Sequence, residues 1–234
     1  MASKKDQRLL VDNLILEKIV LHACLKKEDT VLEVGAGNGH LTVELAELAG
    51  RVYAVEKSHG LCETLKQRVR HYGNVDVIEG DALKAKLPAC NKVVSNLPYS
   101  ISKKITVRLL EHGFKEAFLL YQKEFAEKLL AKPGQENYRF ITVLVQSTCE
   151  IKPLMDIPPE AFQPQPKVNS TLVKLTLKAR PDRKYIDFLQ KLFNHKNKNL
   201  RNIVEDCPKQ YAEKKPAEMT PEELNVLYRE FLTR

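Results

Sequence analysis

The stretch DTVLEVGAGNGHLTVELAELAGRVYAVE, Asp29 to Glu56, decides the fold class. It opens on a β-rich run that stops at glycines. It continues as GHLTVELAELAG, with helical apolar spacing ended by Gly50, and closes on RVYAVE, a second β-rich run. Strand, helix and strand in that order form a βαβ unit, and the pattern repeats downstream. SHGLCETLKQRVRHYG reads as a helix with Ser58 as its cap, NVDVIEGD as a third strand and KVVSN as a fourth. ISKKITVRLLEHG then reads as a helix, EAFLLYQ as a strand and KEFAEKLLA as a helix. FITVLVQSTCEI and STLVKLTL read as two late strands, close enough to form a hairpin at one edge. The expectation is an α/β fold with a mostly parallel seven-stranded sheet, covered on both faces and binding ligands at the carboxyl ends of its strands. Beyond Arg180-Pro181 the signal is purely helical. The expected domains are therefore 1–180 and a small helical domain at 181–234.

With 234 residues and 43% hydrophobic content, the chain can bury one full core and a small second lobe. The apolar run near the N-terminus is interrupted by Asp12, Glu17 and Lys18. It lacks the uniform stretch of a spanning helix or a signal peptide, so no membrane association is expected. The five cysteines are odd in number and scattered, without C-x-x-C or H-E-x-x-H spacing. They point to a reduced, cytoplasmic setting and to no metal site. A formal net charge of +8 favours a polyanionic partner.

The chemistry gathers at the strand ends. Gly35, Gly37 and Gly39 in EVGAGNG let the backbone approach a ligand closely between the first strand and the first helix. Glu56 ends the second strand 21 residues after Gly35, where a carboxylate can accept both hydroxyls of an adenosine ribose. Asp81, in Gly80-Asp-Ala-Leu83, stands where a carboxylate reaches an adenine amino group. Two cofactors fit a glycine turn with an acidic clamp, a nicotinamide dinucleotide or S-adenosylmethionine. The fourth strand decides between them. It ends in Asn96-Leu-Pro-Tyr99, where Pro98 holds Leu97 extended and fixes the direction of its carbonyl. The Asn96 side chain and the Leu97 carbonyl become paired acceptors for the two N–H donors of an exocyclic amino group. Its lone pair is then aimed at an electrophilic methyl group while Tyr99 stacks on the extruded base.

With these residues in view, the chain resembles the small-subunit rRNA adenine N6,N6-dimethyltransferases of the KsgA type. The resemblance runs from about Gln7 to about Val204. It rests on QRLLVD, EVGAGNG, GDAL, NLPYSIS, YQKEFA, FQPQPKV and FNHKNK in this order. It implies a Rossmann-like methyltransferase fold, S-adenosyl-L-methionine as cofactor, and two adjacent adenines near the 3′ end of small-subunit rRNA as substrate, met in a pre-ribosomal particle by a monomeric enzyme. By the same resemblance Arg8, Leu10, Gly35, Gly37, Glu56, Asp81, Ala82 and Asn96 hold the cofactor. Asn96, Leu97, Pro98 and Tyr99 serve catalysis, with Phe162 facing Tyr99 across the target base. Arg8 departs from the family, which usually has Asn or His there.

The positive charge is local. Lys103, Lys104, Arg108 and Lys115 are assigned to the helix after NLPYS, and residues 191–201 carry four cations and no acid. Lys103, Lys104, Arg108, Lys196 and Arg201 are the expected phosphate contacts. Two other classes compete with this reading: a non-catalytic RNA-binding assembly factor, and a methyltransferase acting on large-subunit rRNA or on DNA adenine.

Overall fold

The computed structural model describes residues 8–232. The chain forms two compact units. One takes the chain up to Ala126 together with Lys152–Leu177, and the other takes Glu127–Ile151 and the chain from Lys178 onward. The sequence pattern places one boundary after Arg180. The compact units divide differently, because the segment around residues 127–151 groups with the C-terminal helices.

In the first unit, a two-residue strand β1 (Leu9–Leu10) leads into helix α1 (Asn13–Ala23). Asp12 caps α1 by accepting the Ile15 N–H at 3.1 Å. Leu16, Ile19, Val20 and Ala23 recur at helical spacing, so α1 buries one stripe while Glu17 and Lys18 stay exposed. The interrupted apolar run of the sequence, to which no helix is assigned above, is thus an amphipathic helix. The chain continues through β2 (Thr30–Val34), α2 (His40–Leu48), β3 (Arg51–Glu56), α3 (His59–Val69), β4 (Val75–Glu79) and β5 (Lys92–Asn96). A 3-10 turn at Tyr99–Ile101 then leads into α4 (Ser102–His112), β6 (Glu116–Gln122) and α5 (Lys123–Leu129). Lys115, assigned from sequence to the helix after NLPYS, lies beyond its end at His112.

Helix α6 (Phe140–Thr148) corrects an expectation, since FITVLVQST reads as strand from the sequence. Phe140 through Val145 are all buried, and an apolar run buried on every side carries no periodicity to separate helix from strand. Local chemistry favours the helix: Thr142 Oγ1 accepts the Arg139 N–H at 3.1 Å. The strand β7 begins where this helix ends, at Cys149–Ile157. It is followed by the short β8 (Phe162–Gln163) and by β9 (Ser170–Leu177).

The sheet has seven strands in the order β4-β3-β2-β5-β6-β9-β7. The pairs β4·β3, β3·β2, β2·β5 and β5·β6 are parallel, and β9 joins β6 antiparallel. It is the expected mostly parallel sheet with the two late strands as neighbours at one edge. Leu16, Ile19 and Val20 of α1 share one apolar cluster with Leu41 and Leu45 of α2 and with Phe118, Leu120 and Leu172 of the sheet. Each such apolar side chain contributes about 1.5–3 kcal/mol on burial.

The second unit is helical beyond α6, with α7 (Arg183–Asn194) and α8 (Pro221–Leu232). Asp182 caps α7 through the Tyr185 N–H at 2.6 Å and also accepts the Tyr228 hydroxyl at 2.8 Å. Tyr228 packs against Tyr185 and Phe188, with ring centroids at 4.9 and 5.3 Å. Among the described residues no helix is long and apolar enough to cross a membrane.

Candidate active site

Parallel register brings the carboxyl ends of β2, β3, β4 and β5 to one edge of the sheet, with Val34 opposite Val55 and Glu56 opposite Glu79. The expected site residues of EVGAGNG, Glu56, GDAL and NLPY follow those four ends. The glycine loop turns tightly there: the Gly35 and Ala36 N–H groups both donate to the Val55 carbonyl, at 2.8 and 3.2 Å. Gly35 has φ +75, and a Cβ on it would lie 3.1 Å from Cδ of Pro98. Gly37 has φ +61, and a Cβ on it would lie 2.7 Å from Cδ2 of Leu9. Both positions need the left-handed backbone and the missing side chain.

Glu56 is buried, at 7% exposure. Its Oε2 accepts the Gly37 N–H at 2.9 Å, its Oε1 the Ser58 N–H at 2.8 Å, and its main-chain carbonyl the Gly80 N–H at 2.8 Å. One residue thus ties the glycine loop to the GDAL segment. Each carboxylate oxygen keeps a second lone pair for a ligand hydroxyl. Ser58 stands at the N-cap position of α3, yet its side chain makes no cap bond there. Asp81 accepts Lys57 Nζ at 2.9 Å and the Leu83 N–H at 3.0 Å. The lysine hydrogen bond, more than any other contact, holds its carboxyl below the usual range. Ala82 beside it is buried.

At the end of β5, the Asn96 Nδ2 donates to the main-chain carbonyl of Arg8 at 2.7 Å. Its Oδ1 is buried and has no hydrogen-bond partner among the described residues. A buried acceptor without a donor costs about 1–3 kcal/mol, so this atom marks a place made for a ligand donor. Leu97 is buried, and Pro98 sits at φ −57, ψ 126, which fixes the chain direction before the turn. The Tyr99 hydroxyl meets Ser170 Oγ at 2.6 Å. Phe162 lies in the apolar cluster with Leu10 and Ala161, at 3% exposure. Its strand β8 pairs with β1, Leu10 opposite Phe162 and Leu9 opposite Gln163. Arg8 turns its guanidinium to the carbonyls of Pro164 and Gln165, at 3.0 and 3.3 Å.

Two groups near the site are missing from the sequence-based set. Glu33, on β2 just before the glycine loop, is 2% exposed, and burial pushes its carboxyl up to about 8. His40, at the start of α2, is half-buried, and its buried Nδ1 has no hydrogen-bond partner among the described residues. The only sequence signal for either is adjacency to the glycines. His59, Glu63 and Glu79 place ligand atoms within 4.8 Å of one another, an exposed group in which Lys66 already pairs with Glu63.

The expected phosphate contacts differ in kind. Lys103 and Lys104 are exposed on α4. Arg108 is half-buried and donates to the Ala85 carbonyl, bracing the segment after Asp81. In the second unit Lys196 Nζ reaches the carbonyls of Glu136 and Tyr138, at 3.2 and 3.5 Å. Burial, then the neighbouring Arg139, lowers its pKa. Arg201 pairs with Glu213.

The cradle fits S-adenosylmethionine on its own geometry: a loop that excludes Cβ atoms at Gly35 and Gly37, a strand-end carboxylate at Glu56, and an orphan acceptor at Asn96. Known proteins agree. The family model described as ribosomal RNA adenine dimethylase matches residues 2–226. A "probable ribosomal RNA small subunit methyltransferase A" of Methanosarcina acetivorans is 39% identical, over 94% of this chain and 89% of that protein. Its namesake in Pyrococcus furiosus is 38% identical over 98% and 91%. Among solved structures, a dimethyladenosine transferase from Plasmodium falciparum superposes with a TM-score of 0.85 at 30% identity, covering 96% of this chain and 98% of that one. The 23S rRNA methyltransferase ErmE gives 0.72 at 25% identity, covering 94% and 98%. A Rossmann-like sheet with these strand-end motifs, matched along nearly its whole length, belongs to the ribosomal RNA adenine dimethylase family of KsgA type, and the chain is an S-adenosylmethionine-dependent rRNA adenine N6-methyltransferase.

Proposed function

We propose that this enzyme dimethylates the N6 amino groups of two adjacent adenines near the 3′ end of small-subunit rRNA, acting as a cytoplasmic monomer on a pre-ribosomal particle. The observation that carries this reading is the orphan Oδ1 of Asn96. An adenine amino group has two N–H donors, and Asn96 Oδ1 with the Leu97 carbonyl offers two acceptors in adjacent residues. Accepting both hydrogens draws the nitrogen lone pair out of the ring's conjugation. No general base is then needed before attack, because the proton leaves as the new bond forms. S-adenosylmethionine, when bound, supplies the electrophilic methyl group. Glu56 accepts the ribose hydroxyls, Asp81 with Ala82 receives the adenine of the cofactor, and Gly35 and Gly37 let the backbone come close. Leu10 lines the same pocket. Tyr99 stacks on the target base, and Phe162 serves its other face on leaving the core position it holds here.

The small-subunit substrate is favoured over the large-subunit one by the names of the similar proteins and by the better superposition on the dimethyladenosine transferase, 0.85 against 0.72. The set of strand-end groups argues against a non-catalytic assembly factor. The test is Asn96→Ala in single-turnover methyl transfer on unmethylated small subunits. Loss of one preorganised hydrogen-bonding group in an active site costs about 2.7–4 kcal/mol, or about 10²- to 10³-fold in rate. The variant should bind RNA normally and leave monomethyl adenine where it reacts at all. A near-normal rate for Asn96→Ala removes the mechanism.

A further inference from the structure

The N-terminal segment meets Asn96, the glycine loop and the Phe162 segment, and Arg8 joins the first of these to the last. The Arg8 carbonyl accepts Asn96 Nδ2 at 2.7 Å. The Arg8 guanidinium donates to the Pro164 and Gln165 carbonyls at 3.0 and 3.3 Å. The next residues continue the pattern: Leu9 and Leu10 pair with Gln163 and Phe162, and the Val11 N–H donates to the Ala161 carbonyl at 2.9 Å. Leu9 also lies over Gly37.

A carboxamide is nearly symmetric in shape but not in chemistry. Its orientation is set by whichever neighbour fixes the donor end. A main-chain carbonyl cannot donate, so the Arg8 oxygen requires the NH2 end of Asn96 on its own side and consigns Oδ1 to the other. Turned over, Asn96 would face an acceptor with an acceptor and would offer an adenine amino group further donors instead of a lone pair. We propose that Arg8 is a positioning residue: its carbonyl fixes the catalytic orientation of the Asn96 amide, and its guanidinium locks that carbonyl in register with the Phe162 segment. This rests on the reading of Asn96 as the acceptor for the target amino group. It assigns Arg8 a role apart from cofactor contact, because the side chain is already engaged with the backbone of the proline-rich segment. The charged donor suits the task, since hydrogen bonds from a guanidinium are stronger than neutral ones and the Arg8 Nη1 alone reaches both carbonyls.

The experiment is a double-mutant cycle with Arg8→Ala, Asn96→Ala and the pair, in the full chain. Single-turnover methyl transfer and S-adenosylmethionine affinity by calorimetry are measured together. Arg8→Ala should lower the transfer rate tenfold or more, change cofactor affinity less than twofold and raise the share of monomethyl product. In the Asn96→Ala background the same substitution should have almost no further effect, because it acts through that amide. Arg8→Gln, which keeps N–H donors for the two carbonyls, should recover part of the rate, and it stands in for Arg8→Ala should that variant melt below the assay temperature. A tenfold loss of cofactor affinity at unchanged transfer rate makes Arg8 a cofactor ligand and overturns the proposal. So does a rate effect that multiplies independently with that of Asn96→Ala, or a wild-type rate in Arg8→Ala. A near-normal rate in Asn96→Ala overturns instead the reading of Asn96 on which the proposal stands, so the two failures are distinguishable.

Discussion

Replacing Glu33 by Gln should make the protein more stable in mild alkali than the wild type. Glu33 lies on β2 at 2% exposure, with Thr42 Oγ1 donating to its Oε2 at 2.6 Å. Burial, opposed by that hydrogen bond and reinforced by the charge of Glu56, moves its pKa from the ordinary 4.5 to about 8. The sign follows from proton counting. Below 4.5 both folded and unfolded chains carry the proton, and the stabilisation relative to the ionised state is fully present. Between 4.5 and about 8 the unfolded chain has lost the proton and the folded chain keeps it, so stability falls as pH rises. Each pH unit of that interval is worth about 1.4 kcal/mol per proton, so the whole interval sets a ceiling on the order of 4–5 kcal/mol, which relaxation around the carboxyl reduces. The substituted amide would keep an acceptor for Thr42 and remove the ionisation. Urea unfolding of both proteins at pH 5, 6.5 and 8 isolates the effect, because the other titrating groups are common to both. The gap between variant and wild type should widen by at least about 1 kcal/mol from pH 5 to pH 8. Parallel stability curves would show that Glu33 ionises in the folded protein as it does in the unfolded one, and would refute the reasoning.

Two further outcomes follow from the site. Glu56→Ala should weaken S-adenosylmethionine binding tenfold or more by calorimetry, since hydrogen bonds to a charged group contribute about 1.5–3 kcal/mol each; unchanged affinity removes the ribose assignment. Replacing the exposed Lys104 by Ala should reduce the slope of log RNA affinity against log salt by about one unit with cofactor binding intact, and a wild-type slope would make it solvated surface.

Much of the fold is legible because its strands are local and bounded. RVYAVE, KVVSN, EAFLLYQ and STLVKLTL are strands β3, β5, β6 and β9 at the residues where the sequence predicts them. Each is an apolar run of strand length, and all but EAFLLYQ, which runs straight into α5, are closed by a turn or breaker. FITVLVQST misleads because its β-branched residues favour a strand locally, whereas complete burial within the helical unit and the Thr142 bond to the Arg139 N–H sustain a helix. Strands β1 and β8 have no signal at all. Two residues cannot show a period, and their pairing joins segments about 150 positions apart.

The same distinction applies to the candidate site. The placement of Gly35, Glu56, Asp81 and Asn96 together is legible because a strand end is a local feature and parallel register brings four such ends to one edge. The Arg8 guanidinium meets carbonyls 156 and 157 residues away, which no window along the chain contains. The cations show how composition misleads. Lys103, Lys104, Arg108, Lys196 and Arg201 carry equal weight in a count of charge. Within the chain, however, Arg108 holds the Ala85 carbonyl, Lys196 the carbonyls of Glu136 and Tyr138, and Arg201 the carboxylate of Glu213. A cation that already satisfies a carbonyl or a carboxylate must give up that bond before it can serve a phosphate, and the lost bond is subtracted from what counterion release contributes. The salt dependence of RNA binding should therefore fall only weakly on substitution of Arg108, Lys196 or Arg201, and by more on substitution of Lys104.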